Sequence, residues 1–272
     1  MLGSYNPYYV TYPVTLRALG LAPVPVATDP ARAFCPTFGQ IDAVAGGGRS
    51  LLINSPNNPT GTVYDRATLE AVARATLAHD LWLISDEVYD TQVWQGAHLS
   101  PRALPGMAGR TLVIGSMSKS HAMTGSRAGW IVGPADAIAH LMNLATHTTY
   151  GVPGFVQDAA LFALTEGEAL EQRVSAPFVR RHALAERVLA GQNAVRALPS
   201  IGAMYLMLDI RATGLSGEGF AMSLLEQHAI AVMPGESFGA CAAGHLRVAM
   251  TVDDDTFVTA LTTLTQFAKG LT

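Results

Sequence analysis

Three short apolar runs in the first half of the chain are each followed by polar residues. They are Ser50–Asn54, Leu81–Ser85 and Thr111–Gly115. Between the first two, the segment Arg66–His79 repeats apolar residues at helical spacing, which predicts a helix. Its apolar positions are Leu69, Val72, Ala73 and Leu77. Buried strands that alternate with helices indicate a parallel sheet covered on both faces.

The second half of the chain begins with a long predicted helix, rich in alanine and leucine, from Gly154 to about Ala190, with an interruption near Pro177. Strands and helices then alternate again, and Asp253 suits the N-cap of the last helix. The predicted elements are a strand at Ala203–Ile210, a helix at Gly217–His228, a strand at His245–Met250 and a helix from about Asp253. We expect a large domain over residues 1–165 and a smaller α+β domain over residues 166–272.

Composition narrows the class of protein. The chain has 272 residues, 49% of them hydrophobic, and a net charge of −4, so nothing favours binding to nucleic acid or to an anionic membrane. No apolar run reaches the roughly 18 residues of a membrane helix. Cys35 and Cys241 offer neither a disulfide framework nor metal-ligand spacing, so no metal site is expected. The N-terminus lacks the segments of a signal peptide, and we expect a soluble, cytoplasmic protein.

Lysine is scarce, which makes its position informative. Lys119 and Lys269 are the only two lysines among 17 basic residues. A coding bias toward arginine explains the scarcity, but arginine cannot replace lysine as an amine nucleophile. Lys119 can lose its proton and form a Schiff base with a carbonyl. Ser116, Ser118 and Arg127 lie close to it in sequence, and this combination points to pyridoxal phosphate.

Other polar residues also follow the predicted strands, where ligands bind in such sheets. Asn58 is either a turn residue or a donor to the ring hydroxyl of a pyridine cofactor. Asp86 either caps a helix or pairs with the protonated pyridine nitrogen, whose pKa it would raise. Tyr89 can share the face of a turn with Asp86 and reach the same ring hydroxyl as Asn58.

The phosphate of such a cofactor needs its own binding groups. Ser116 and Ser118 offer two hydroxyls, and Arg127 offers a forked guanidinium. Serine-rich loops are common, so Arg127 is the more informative of the three.

This set of residues resembles that of the class I and II aminotransferases, pyridoxal-phosphate enzymes of fold type I. The motifs are Asn58-Pro-Thr-Gly, Asp86-Glu-Val-Tyr89 and Ser116-x-Ser118-Lys119-x7-Arg127. The resemblance implies the cofactor roles above, and it adds Tyr9 as the aromatic ring over the cofactor, with core packing as the alternative. It also adds Arg247 as the group that binds the α-carboxylate of the substrate. Members act as homodimers on amino acids and 2-oxo acids, so the same is expected here.

The resemblance points to one branch of the family, but it does not cover the whole family pattern. The segments Ser118–Gly125 and Asp209–Leu215 resemble the arginine:pyruvate transaminase branch, while aspartate and aromatic transaminases stay open. The N-terminal third of the family pattern is absent, and three explanations stay open: a fragment, a start assigned too late, or a true truncation. A lyase of the same fold, an effector-binding domain of a regulator and an inactive fragment are the rival interpretations. We expect the chain expressed alone to aggregate and to be nearly inactive.

Overall fold

The computed structural model describes residues 2–272 and every side chain in that range except those of residues 2, 4 and 5. Its larger sheet contains β1 (Leu2–Asn6), β2 (Pro23–Ala27), β3 (Ser50–Asn54), β4 (Trp82–Asp86), β5 (Thr111–Ser116) and β6 (Gly129–Val132). The spatial order of these strands is β2-β1-β3-β4-β5-β6. All pairs are parallel except β5 with β6. The mostly parallel sheet of the fold prediction is confirmed.

Helices alternate with the strands of this sheet. They are α1 (Thr11–Ala18), α2 (Phe38–Ala45), α3 (Arg66–Ala78), the single turn α4 (Met117–Ser120) and α5 (Ala135–Thr148). The predicted helix α3 packs Leu69, Val72 and Ala73 into the core. Leu77, which shares their spacing, is 44% exposed, so the predicted apolar stripe is one residue too long.

The register of the larger sheet aligns the carboxyl ends of its central strands. Asn54 at the end of β3 lies beside Asp86, and Asp86 lies beside Ile114 of β5. Strand β4 runs one residue further than predicted, so Asp86 is its last residue. In the described structure a turn, not a helix, comes directly after Asp86, so the helix-cap alternative for this carboxylate is wrong.

The smaller sheet lies in the second half of the chain. It contains β7 (Arg196–Ala197), β8 (Tyr205–Asp209), β9 (Met233–Pro234) and β10 (His245–Ala249), in the order β7-β8-β10-β9, all antiparallel. Around it are α6 (Gly154–Glu166), α7 (Glu168–Leu189), α8 (Gly217–His228) and α9 (Asp254–Lys269). Asp253 caps α9 by accepting from the Thr256 N–H, as its position predicted. The expected α+β character of this half is present.

The long helix breaks at a different residue from the one predicted. Gly167 separates α6 from α7 with φ +64° and ψ −152°, a conformation that suits glycine because it has no Cβ. Pro177 instead lies inside α7. The predicted domain boundary, between residues 165 and 166, falls at the end of α6, and the division into domains stays a prediction.

Each sheet has its own hydrophobic core. The larger sheet packs Leu51, Ile53 and Leu83 against α2 and α3, and the smaller sheet packs Leu206 and Leu208 against α7, α8 and α9. In the described part of the chain, no helix combines the length and the apolar character needed to cross a membrane.

A glycine joins the loop after β3 to the connection between β7 and β8. Gly61 has φ +70°, and its carbonyl accepts from the N–H groups of Ile201 (3.1 Å) and Gly202 (3.0 Å). A Cβ at this position would lie 2.0 Å from Ser200 Oγ and 2.9 Å from the Gly202 carbonyl oxygen. Any side chain at this position would therefore force Ser200 or the Gly202 backbone to move.

Gly61→Ala should lower the free energy of unfolding by about 2–5 kcal/mol, because it adds backbone strain to a steric clash. Gly39→Ala is the matched control: Gly39 lies in α2 with open space around it, and alanine there should be neutral or slightly stabilising. Urea unfolding of both variants, followed by circular dichroism, measures the difference. Equal stability of the two variants would show that the Gly61 contact does not join the two halves.

Candidate active site

One cleft, of about 500 Å³, lies at the carboxyl edge of the larger sheet, where β8 and β10 of the smaller sheet approach it. All the site residues predicted from the sequence line this cleft. They are Tyr9, Asn58, Asp86, Tyr89, Ser116, Ser118, Lys119, Arg127 and Arg247. Segments far apart in sequence thus meet around one space of the size of a small-molecule site.

The Asp86 carboxylate is held from two sides. The Tyr12 hydroxyl donates to Oδ2, and the Val88 N–H donates to Oδ1 at 3.2 Å. Burial raises the pKa of Asp86, and these two hydrogen bonds oppose the rise. A cationic group in the cleft would stabilise the ionised form of this carboxylate, because burial without a counter-charge disfavours that form.

Asn58 is fixed by contacts from both sheets. Its N–H donates to Asn54 Oδ1 at 2.8 Å, and its own Oδ1 accepts from Arg247 Nη1 at 3.0 Å. Asn54 in turn donates from Nδ2 to the Asp86 carbonyl at 3.0 Å. Since the Asn58 oxygen is occupied by a donor, its Nδ2 group is the part left to donate into the cleft.

Two aromatic rings lie close to the Arg247 guanidinium. Its Cζ is 4.5 Å from the centroid of the Tyr205 ring and 5.0 Å from that of Phe238. Stacking on aromatic faces fixes the plane of a guanidinium while leaving its edge able to bind a carboxylate. Arg247 is half-buried and lines the cleft.

Lys119 lies in α4, directly after β5. Its Nζ is 6.0 Å from the centroid of the Tyr89 ring, and its carbonyl accepts from Gln92 Nε2 at 3.2 Å. Burial lowers the pKa of Lys119, and the positive charges of Arg127 and Arg247 lower it further. The amine is therefore more readily deprotonated than an ordinary lysine.

The three predicted phosphate ligands form one corner of the cleft. Ser116 Oγ accepts from the Ser118 N–H at 3.1 Å, and Arg127 Nη1 donates to Ser118 Oγ at 3.4 Å. Arg127 also donates to the Thr124 carbonyl at 2.9 Å and has φ +52°, a left-handed conformation that is uncommon for a residue other than glycine. Hydroxyls and a guanidinium held together in this way suit an anion.

Tyr9 lies at the rim of the cleft and is 36% exposed, so the core-packing alternative is wrong. Its ring meets the Tyr12 ring edge to face, with 5.5 Å between centroids. Tyr89 is buried, and its hydroxyl is 3.0 Å from the hydroxyl of Tyr205.

Among the lining residues that the sequence did not predict, three have side chains that hydrogen-bond to predicted site residues: Asn54, Tyr12 and Tyr205. Asn54 ends a predicted strand, so the rule that selected the other strand-end residues could have found it. Tyr12 follows Tyr9 by three residues, a spacing that signals a shared face at the start of a helix. Tyr205 gave no such signal, because its partner Tyr89 is 116 residues away.

Comparison with known proteins places this cleft in a family. The family model for aminotransferase class I and II matches residues 4–264. An arginine–pyruvate transaminase of Pseudomonas aeruginosa is 45% identical over 248 residues, which are 91% of this chain and 63% of that protein. An aspartate/prephenate aminotransferase of Thermus thermophilus is 36% identical over 263 residues, 94% of this chain and 66% of that protein.

Solved structures agree with the sequence comparison. An aromatic aminotransferase from Pyrococcus horikoshii superposes with a TM-score of 0.94 at 30% identity, over 100% of this chain and 74% of that one. Aspartate aminotransferase from Thermus thermophilus with maleate gives a TM-score of 0.90 at 32% identity, over 98% of this chain and 69% of that one.

The chain belongs to the class I and II aminotransferase family, and its fold is that of the fold type I enzymes. Proteins of this family are generally dependent on pyridoxal phosphate. The chain spans 63% and 66% of the lengths of the two curated relatives described above.

The lowered pKa of Lys119 can be measured directly. Labelling with a trace of acetic anhydride at a series of pH values, followed by peptide mass spectrometry, should give a midpoint for Lys119 below its ordinary 10.5. Lys269 in the same sample corrects for reagent loss. Arg127→Gln should move the midpoint upward, because it removes a positive charge that disfavours the protonated amine. A wild-type midpoint at or above 10.5 would contradict the described environment.

Proposed function

We propose that the protein transfers the amino group of an amino acid, L-arginine in the first instance, to a 2-oxo acid such as pyruvate, with pyridoxal 5'-phosphate as its cofactor. The observation that carries the proposal is the pairing, in one cleft, of a lysine of lowered pKa with a buried carboxylate and an anion-binding corner. The arginine–pyruvate transaminase relative supports the choice of substrates.

The donor set of the cleft fits pyridoxal phosphate. Ser116, Ser118 and Arg127 would hold the phosphate, and Asp86 at the other side would pair with the ring nitrogen. Asn58 Nδ2 and the Tyr89 hydroxyl would donate to the ring oxygen, and Tyr9 at the rim would cover the ring. This assignment would give the largely buried Asp86 a cationic partner, which would oppose the rise in its pKa that burial causes.

When bound, the cofactor supplies an aldehyde that condenses with amines and a ring that withdraws electron density from the substrate α-carbon. Lys119 Nζ holds the cofactor at rest and afterwards takes up the proton of the substrate α-carbon. Its lowered pKa favours both tasks, since each needs the unprotonated amine. Arg247 binds the α-carboxylate through the guanidinium edge that its aromatic neighbours leave accessible.

The proposal includes a cytoplasmic homodimer. Cys35 and Cys241 are both unpaired thiols, which is typical of a reducing compartment. Helices α5 and α6 expose large apolar side chains, and burial of such side chains against a second protein surface would be favourable. These side chains are Met142, Leu144, Phe155, Leu161 and Phe162.

Isotope transfer tests the reaction. With pyridoxal phosphate, pyruvate and arginine labelled with ¹⁵N at the α-amino group, the protein should form ¹⁵N-alanine and the 2-oxo acid of arginine in equal amounts, as measured by mass spectrometry. The rate should be low when the chain is assayed alone, as the absent third of the family pattern predicts. Parallel reactions with labelled aspartate and phenylalanine identify the preferred donor. Transfer from either of these but not from arginine would correct the substrate and leave the reaction class intact.

Two variants serve as controls. Asp86→Asn keeps the shape of the side chain but removes its charge, so it should bind cofactor and lose most of the transfer. Lys269→Arg, at the end of α9, should transfer at the wild-type rate. Labelled ammonium without labelled alanine would indicate lyase chemistry, and a cofactor-loaded protein that consumes no amino acid would contradict the proposed reaction.

A further inference from the structure

Tyr205 contacts two functional residues with two different parts of its side chain. It lies on β8 of the smaller sheet and is 7% exposed. Its hydroxyl is 3.0 Å from the Tyr89 hydroxyl, and its ring centroid is 4.5 Å from Arg247 Cζ. The rings of Tyr89 and Tyr205 meet edge to face at 5.9 Å, so the two tyrosines also fix each other by packing.

The hydroxyl contact constrains the direction in which Tyr89 donates. Each phenol carries a single proton. Burial raises the pKa of Tyr89, so Tyr89 keeps its proton across the working pH range. If Tyr89 donates that proton into the cleft, the hydrogen bond between the tyrosines must be donated by Tyr205. Accepting this bond polarises the Tyr89 hydroxyl and makes it a stronger donor.

The ring contact constrains Arg247. Tyr205 and Phe238 cover the guanidinium at 4.5 Å and 5.0 Å, while Nη1 donates to Asn58. Arg247 Nε is buried and has no hydrogen-bond partner among the described residues. Hydrogen bonding through Nη1 alone leaves the guanidinium free to rotate, and the stacked rings remove that freedom.

We propose that Tyr205 is a positioning residue with two separable effects: its hydroxyl directs the Tyr89 proton toward the cofactor ring oxygen, and its ring holds Arg247 for the substrate carboxylate. The assignment rests on the proposed function, which places the cofactor beside Tyr89 and the carboxylate beside Arg247.

Tyr205→Phe removes the hydroxyl and keeps the ring. With the cofactor held by Lys119 Nζ, a hydrogen bond donated to the cofactor ring oxygen would draw negative charge away from that nitrogen and lower its proton affinity. Weakening that bond should raise the pH midpoint of the cofactor absorbance by about 0.3 unit. Tyr89→Phe, which removes the bond altogether, should give a larger shift, because one neighbouring donor adds only a fraction of a hydrogen bond. The dissociation constant of propionate, a carboxylate without an amine, should stay within twofold of the wild-type value.

Tyr205→Leu removes both the hydroxyl and the aromatic ring. It should shift the absorbance midpoint as Tyr205→Phe does and should also weaken propionate about fivefold, the order expected for one stacked aromatic ring. Phe238→Leu is the matched control, because the Phe238 ring also lies 5.0 Å from Arg247 Cζ but does not contact the Tyr89 hydroxyl. It should weaken propionate and leave the midpoint unchanged.

The outcomes separate this inference from the proposed function. A wild-type protein that binds cofactor with a pH-dependent absorbance, together with an unshifted Tyr205→Phe, would overturn the hydroxyl role of Tyr205 alone. Unchanged propionate affinity in Tyr205→Leu would overturn the ring role. A wild-type protein that captures no pyridoxal phosphate would instead overturn the proposed function and the Tyr205 assignment with it.

Discussion

The largely buried carboxylate of Asp86, at the end of β4, and the half-buried amine of Lys119, in α4, share one cleft. Keeping either charge out of water costs free energy, and this cost constrains which groups can surround them. Burial raises the pKa of Asp86 and lowers that of Lys119, so each group is displaced toward its neutral form. Tyr12 and the Val88 N–H stabilise the carboxylate from behind. Arg127 and Arg247 add positive charge near the amine and lower its pKa further. The cleft is thus suited to a ligand that brings a cation to Asp86 and an anion to the arginines.

Both sheets contribute residues that position these groups. The larger sheet aligns Asn54 and Asp86 through its register, and Asn54 then holds the backbone of Asn58. The smaller sheet supplies Arg247 and Tyr205, and the bond between Arg247 and Asn58 joins the two sets. A change in the approach of the sheets would therefore alter the direction of the Asn58 amide and the plane of Arg247 together. The Gly61 contact, which carries no chemistry itself, connects the same two parts of the chain.

The sequence predicted the site residues whose positions follow from the succession of strands along the chain. Strand ends in parallel sheets converge, so polar residues after β3, β4 and β5 could be placed together from the pattern alone. The resemblance to the family then supplied Tyr9 and Arg247. The contact between Tyr12 and Asp86, 74 residues apart, and that between Tyr89 and Tyr205 could not be predicted, because they depend on how the elements pack. Strand β2 was also missed, since prolines at 23 and 25 argue against a central strand; β2 is an edge strand, where proline is tolerated.

The central claim is that Lys119 is the residue to which the cofactor is joined. Reduction of the cofactor-loaded protein with borohydride, followed by proteolysis and peptide mass spectrometry, makes that bond permanent and locates it. The pyridoxyl mass should be found on the peptide that contains Lys119, and Lys119→Arg should remove it. Label on Lys269, or a folded, cofactor-treated protein without label, would contradict the assignment and the function built on it.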